Sequence, residues 1–252
     1  MSVYVIADLH LSTNSNTNKP MEIFGKRWTG YTEKIISNWK SLITDEDTVV
    51  IPGDISWALT TEEALSDLAL IDSLPGKKLI GKGNHDYWWS TSKKMHEMFD
   101  ANHISTIELL YNNAYFRDGV IISGTRGWYN DGSLKMPAGT DYNKLVNREN
   151  ERLKISLNAA KSLQSLHGAE IIVFLHFPPV RGNFVCRQIV DTLHEYGVTR
   201  CFYGHIHGDY FTPQSSEFEG INYSLISADY LNFCPMPIST LHYIDNISLK
   251  NE

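Results

Sequence analysis

The chain has 252 residues, 42% of them apolar and 20% charged, with a formal net charge of -7 at neutral pH. That length and composition suit one globular domain with a sizeable core and exclude a disordered chain. The acidic balance works against sequence-independent grip on a nucleic-acid backbone, which needs clustered Lys and Arg.

No apolar run approaches the length of a bilayer span, and no basic flank precedes a long apolar stretch at the start. Neither a membrane segment nor a signal peptide is expected, and the cytoplasm is the expected compartment. Cys186, Cys201 and Cys234 are odd in number and lack CxxC spacing. They read as reduced, packed thiols, not as a disulfide framework or a thiolate zinc site.

Taken in chain order, β-rich residues 3–7 run into Asp8-Leu9-His10, and the polar run 12–19 reads as a loop. Ile35, Ile36, Trp39, Leu42 and Ile43 fall on one face at helical period. A strand at 48–51 leads into Gly53-Asp54. Thr60 and Glu63 then have capping-box spacing ahead of Leu65, Leu68 and Ile71. A strand at 78–80 leads into Gly83-Asn84-His85-Asp86, and residues 104–123 are β-rich. A long helix is expected after Asp141, with Val146, Leu153, Leu157 and Ala160 on its inner stripe. The apolar strand 171–175 ends at His176, a helix is expected within 185–196, and a strand at 200–203 runs into Gly204-His205-Ile206-His207. Residues 221–226 and 239–244 are β-rich and either extend one sheet or build a second packed against it. The alternation predicts a layered α/β domain over residues 1–246 with a short tail at 247–252.

Five short strands are each followed by a polar cluster, and ligand sites in open α/β sheets gather beyond the carboxyl ends of strands. Asp8 and His10, two apart, project to the same side of extended chain and can grip one cation; His205 and His207 repeat that geometry. Taken alone, Asp8 reads first as a surface turn and Asp54 as a turn or cap residue, while His176, leaving a buried strand before two prolines, reads first as projecting into a crevice and second as a core histidine. Their conjunction shifts the reading. Together the clusters supply two carboxylates, one amide oxygen and four imidazoles, a donor set suited to divalent ions.

The ordered series D-x-H, G-D, G-N-H-D/E, H and G-H-x-H resembles the calcineurin-like metallophosphoesterase superfamily over residues 8–207. The resemblance implies a sandwich of two mixed β-sheets flanked by helices, with metals at the strand ends. It further implies that Asp8, His10 and His207 hold one ion, that Asn84, His176 and His205 hold the other, and that Asp54 bridges them. In the family the histidine matching His85 donates a proton to the leaving oxygen. Two cations about 3.5–4 Å apart share a water, make it hydroxide near neutral pH and clamp an in-line displacement. Manganese is the first expectation for both sites, with iron or zinc as alternatives. Asp86 is expected to order its turn.

The serine/threonine protein phosphatases continue the second motif as G-D-x-x-D-R, whereas this chain reads Gly53-Asp54-Ile55-Ser56-Trp57-Ala58. That branch is disfavoured, and both the support of His85 and any phosphate-gripping cation must come from elsewhere. Arg126 and Arg181, in loops expected near the crevice, are candidates for phosphate. Trp57, Trp88 and Trp89 follow the metal motifs closely and are candidates for an aromatic wall, Trp88 first, with buried packing expected of at least one. The expected activity is dimetal-dependent hydrolysis of small phosphomonoesters or phosphodiesters, diesters ahead. A nuclease of short oligonucleotides and a non-catalytic metal-binding scaffold are the alternatives. The expected partner is a small phosphorylated substrate, with neither long nucleic acid nor membrane.

Overall fold

A computed structural model of the chain describes residues 1–15, 17, 19–128 and 141–240, and two mixed β-sheets dominate it. The first sheet has the order β13-β1-β2-β3-β4, formed by Met236–Pro237, Val3–Val5, Thr48–Ile51, Lys77–Ile80 and Ile107–Leu109. The second has the order β11-β12-β10-β7-β6-β5, formed by Ser215–Phe218, Ile221–Leu225, Arg200–Tyr203, Glu170–Leu175, Val120–Thr125 and Ala114–Arg117. A two-stranded ribbon, β8 (Val180–Arg181) with β9 (Phe184–Val185), follows the second sheet's central strand.

Strands buried on both faces read as continuous apolar runs, because alternate residues serve different layers. In β2, Val50 joins the core between the sheets, while Val49 and Ile51 face the helices α1 (Tyr31–Leu42), α2 (Thr61–Ser73) and α3 (Ser92–Ala101). In β7, Ile172 and Phe174 enter the shared core, while Ile171, Val173 and Leu175 face α4 (Tyr142–His167) and α5 (Arg187–Glu195). Two mixed sheets packed face to face and flanked by helices make the expected sandwich.

The helices follow local sequence signals. Thr60 and Glu63 form the reciprocal capping box that starts α2. Asp141 caps α4 by accepting from the Lys144 amide at 3.0 Å, and Gly168 ends it in the left-handed conformation at φ 65°. Val146, Leu153, Leu157 and Ala160 form its buried stripe as expected. One expectation needs correction. Leu42 is exposed, because the inner face of α1 runs through Tyr31, Ile35 and Trp39 at four-residue spacing. Met236–Pro237 form β13 and Ile238–Thr240 a short turn of helix; the rest of the late strand expected at 239–244, residues 241–244, and the expected tail lie outside the described residues.

Strands β1 to β4 run parallel to one another, and so do β6, β7, β10 and β12. The sheets are stitched where β1 and β12 end, by Ala7 N–H to Ile226 O and Ala228 N–H to Ala7 O, both 2.8 Å. The carboxyl ends of both sets of strands therefore open onto one rim. No helix among the described residues is long and apolar enough to cross a membrane.

Candidate metal centre

On that rim the chain leaves each strand abruptly. Asp8, His10, Asp54 and His205 all have positive φ, at 60°, 45°, 51° and 71°. Side-chain-bearing residues seldom adopt that region, and where they do the surrounding contacts must hold them there. Here two carboxylates do so. Asp8 accepts from the His205 amide at 3.0 and 2.9 Å and from the Ser227 hydroxyl at 2.8 Å. Asp54 accepts from the His85 amide at 2.8 Å. Both approaches need glycine. A Cβ on Gly204 would lie 2.3 Å from Asp8 Oδ2, and one on Gly83 would lie 2.1 Å from Asp54 Oδ1.

Asp86 fastens two of these turns together. Its buried carboxylate accepts from the amides of Gly83 (2.8 Å), Asp54 (2.9 Å) and Ile55 (2.9 Å). The fit to its expected ordering role is direct.

The side chains converge in two groups. Asp8, His10 and His207 offer ligand atoms within 4.8 Å of one another, and so do Asp54, His176 and His205. His10 Nε2 and His207 Nε2 stand 3.1 Å apart. Asn84 completes the second group, its Oδ1 2.7 Å from His176 Nε2. Asp54 Oδ2 lies between the groups, 3.5 Å from His176 Nε2 and 3.8 Å from His10 Nε2. That oxygen is buried and has no hydrogen-bond partner. A buried carboxylate oxygen without a donor is costly unless a cation faces it. The donor set therefore fits two divalent ions, one per group, with Asp54 reaching both.

The electrostatics agree. Burial pushes the Asp8 carboxyl up to about 6, and it pushes Asp54 well above the carboxylate range with help from the charges of Asp86 and Asp8. Burial, then neighbouring imidazoles, hold His10 and His176 well below the usual histidine range. Carboxyls reluctant to ionise beside imidazoles that stay neutral are what a cation relieves on both counts.

His207 differs because of a residue the sequence reading passed over. Burial opposes its charged form, but the hydrogen bond to Asp229 and the charges of Asp8 and Asp229 leave its pKa raised. Asp229 takes the His207 Nδ1 contact at 2.8 Å and accepts from the Gly208 amide at 3.1 Å and the Tyr210 hydroxyl at 3.0 Å. When Nδ1 carries its hydrogen to Asp229, Nε2 presents a lone pair to an ion. The signal was there, since Asp229 follows β12 as the candidate ligands follow their strands. Replacing Asp229 by asparagine is expected to weaken one ion's binding by about 10–100-fold and to spare the other. Chelator competition with metal counting checks this; two unchanged affinities would remove Asp229 from the site.

His85 lies 5.7 Å from His10 and 4.4 Å from the Trp57 ring, centroid to centroid, and burial lowers its pKa. Trp57, which stands where the protein phosphatases carry an aspartate, thus supports His85 by packing; it also stacks on His10 at 4.8 Å. The aromatic wall is consequently not Trp88. Trp88 is 2% exposed and spends its indole N–H on Asp86 at 3.0 Å, so it has no face to offer a substrate. A cavity of about 150 Å³ is lined instead by Trp57, Trp28, Met21 and Phe24 together with His10, His85 and His207. Arg181 also needs correction, because its guanidinium is taken up by Asp209. Arg126 stands at the rim, its carbonyl accepting from the His176 amide at 3.1 Å.

Residues 1–209 match the family model described as calcineurin-like phosphoesterase. Among solved structures, a phosphopantetheinyl hydrolase from Mycobacterium tuberculosis is similar at 14% identity and a TM-score of 0.52, over 94% of this chain and 95% of that one. A Thermus thermophilus protein is similar at 10% identity and a TM-score of 0.52, over 90% and 89% of the two chains. Identities this low carry the fold alone. No curated protein sequence matches the chain.

Proposed function

The chain belongs to the calcineurin-like phosphoesterases, metal-dependent hydrolases, and on that premise we propose that it hydrolyses small phosphate esters, diesters ahead of monoesters. Asp8, His10 and His207 would hold one divalent ion, Asn84, His176 and His205 the second, with Asp54 shared. Manganese is the first choice and iron or zinc the alternatives, as the mixed nitrogen and oxygen donors allow. The ion pair supplies Lewis-acid activation of water and of the phosphoryl oxygens. The protein's own groups do the remainder. Asp8 and Asp54 fix the two histidine turns through their amide contacts, Asp229 aims His207, and His85 stands where a proton can be given to a leaving oxygen.

The observation that carries the diester reading is the apolar cavity lined by Trp28, Trp57 and Met21 beside His85. It offers an ester's organic group a dry seat next to the reacting phosphorus. A monoester dianion asks instead for a cation, and position 58, where the protein phosphatases have arginine, is a buried alanine.

The test compares bis-p-nitrophenyl phosphate with p-nitrophenyl phosphate on the manganese-loaded protein, followed by a panel of nucleotides, cyclic nucleotides and phosphopantetheine esters. A kcat/KM at least about tenfold higher for the diester, a difference of 1.4 kcal/mol, supports the proposal. A preference for monoesters sinks the diester reading, and cleavage of DNA or RNA alone would put a nuclease in its place.

A further inference from the structure

Beside the other half of the site lies a second cavity, of about 230 Å³, with a different character. Its walls carry Lys82, Arg126, Arg148 and Arg152, and one carboxylate, Glu149. On a chain with a net charge of -7, this cavity gathers an excess of three positive charges. We propose that it is an anion subsite, and that the substrate is a small phosphate ester bearing a second phosphate that docks there.

Three features favour a ligand over a structural ion cluster. Glu149 is fully buried and is shared by three guanidinium groups, at 2.9 Å from Arg152, 3.4 Å from Arg126 and 3.5 Å from Arg148. One carboxylate cannot neutralise three cations, so mutual repulsion persists until an anion arrives. Next, Arg126 Nε is buried and has no acceptor, and Lys82 has no carboxylate within ion-pair reach among the described residues. A phosphate would satisfy both, since arginine grips its oxygens bidentately. Finally, two of the guanidinium groups are held in place before any ligand comes. Arg126 lies over the Trp128 and Phe177 rings at 5.6 and 6.0 Å, and Arg152 over Tyr111 at 5.7 Å.

The cavity is coupled to the reaction site by backbone. Lys82 is two residues before Asn84, and the Arg126 carbonyl accepts from the amides of His176 and Phe177 at 3.1 and 2.9 Å. His10 and His207 line the apolar cavity, while the cationic one is lined by Lys82 and Arg126, the residues tied by backbone to Asn84 and His176. A bound ester therefore has a dry end and a charged end. This inference rests on the phosphoesterase reading and narrows its substrate class.

The experiment uses two synthetic phosphodiesters that differ only in a terminal phosphate on the arm that is not released. Metal-loaded wild type is compared with Arg148→Gln/Arg152→Gln, and with Lys82→Gln, which disturbs no ion pair among the described residues and guards against a double variant that fails to fold. The wild type is expected to favour the phosphorylated diester about tenfold or more, through KM, and each variant to lose most of that preference. No preference in wild type, or the same preference in the variants, overturns the subsite. If neither diester is hydrolysed, it is the diester reading that fails. Binding of inorganic phosphate by the metal-loaded protein then decides the subsite: salt-sensitive binding lost in the variants supports it, and equal binding removes it.

Discussion

Replacing Asp54 by asparagine is expected to reduce the bound metal from two ions toward one or none and to remove nearly all activity. The substitution keeps the size of the side chain and can keep an oxygen for the His85 amide, so the turn survives. What disappears is a buried negative charge whose Oδ2 faces His176 and His10 at 3.5 and 3.8 Å. Breaking a buried charge partnership costs about 3–5 kcal/mol, which corresponds to roughly a hundred- to several-thousandfold in metal affinity. The pH dependence carries a second signature. Asp8 and Asp54 have raised pKa values in the metal-free fold, Asp8 at about 6, through burial first. A carboxyl raised on folding contributes stability that is complete below its unfolded pKa and lost as pH rises through the folded one. The metal-free protein should therefore weaken between about pH 4 and 6. Metals reverse that loss, so the rise in Tm on adding manganese should be larger at pH 7.5 than at pH 5. In Asp54→Asn this pH-dependent gain should shrink. Elemental analysis and melts with and without chelator check both statements; a variant with two ions and wild-type kcat would end the bridging role.

The sequence exposed the candidate metal ligands because their signal is sharp. A strand buried on both faces must read as an unbroken apolar run, so the polar residue that ends it is conspicuous, and Asp8, Asp54, Asn84, His176 and His205 each occupy such an end. The same rule reaches Asp229 after β12, but a single acidic residue carries no spacing pattern to single it out. Other parts were illegible for physical reasons. Helix α3 buries only Met95 and Phe99 on an otherwise polar surface, too little apolar periodicity to be read. Trp28 and Met21, which line the cavity beside His85, sit in two short 3₁₀ turns that have no helical stripe. Trp88 misled because an aromatic beside a metal motif looks the same in sequence whether it faces a substrate or, as here, braces Asp86. The cationic cavity joins Lys82, just after β3 of one sheet, to Arg126, just after β6 of the other, and to Arg148 and Arg152 on α4, a meeting that no spacing in the sequence announces.

Substituting His85 by asparagine should lower kcat by about 10²–10⁴-fold on esters with poor leaving groups, the usual contribution of a positioned general acid. The metals should stay. His85 touches the metal turns through its backbone amide on Asp54 at 2.8 Å, a contact asparagine retains, and the imidazole itself packs on Trp57. Burial, followed by the nearby charges of His207 and Lys19, lowers the histidine's pKa, and a phosphate anion beside the ring would favour the imidazolium, the form that can give its proton to the leaving oxygen. Asparagine can still donate a hydrogen bond but cannot hand over a proton. The deficit must then scale with how badly the leaving oxygen needs one. An alkoxide leaves only with a proton, whereas p-nitrophenolate leaves nearly unaided, so the loss on p-nitrophenyl esters should be at least about tenfold smaller than on alkyl esters. A merely structural histidine would depress both substrates equally and would lower metal content as well. Measuring kcat across a series of leaving groups, with metal content determined on the same samples, separates the two roles. A flat deficit across the series would assign proton donation to another group.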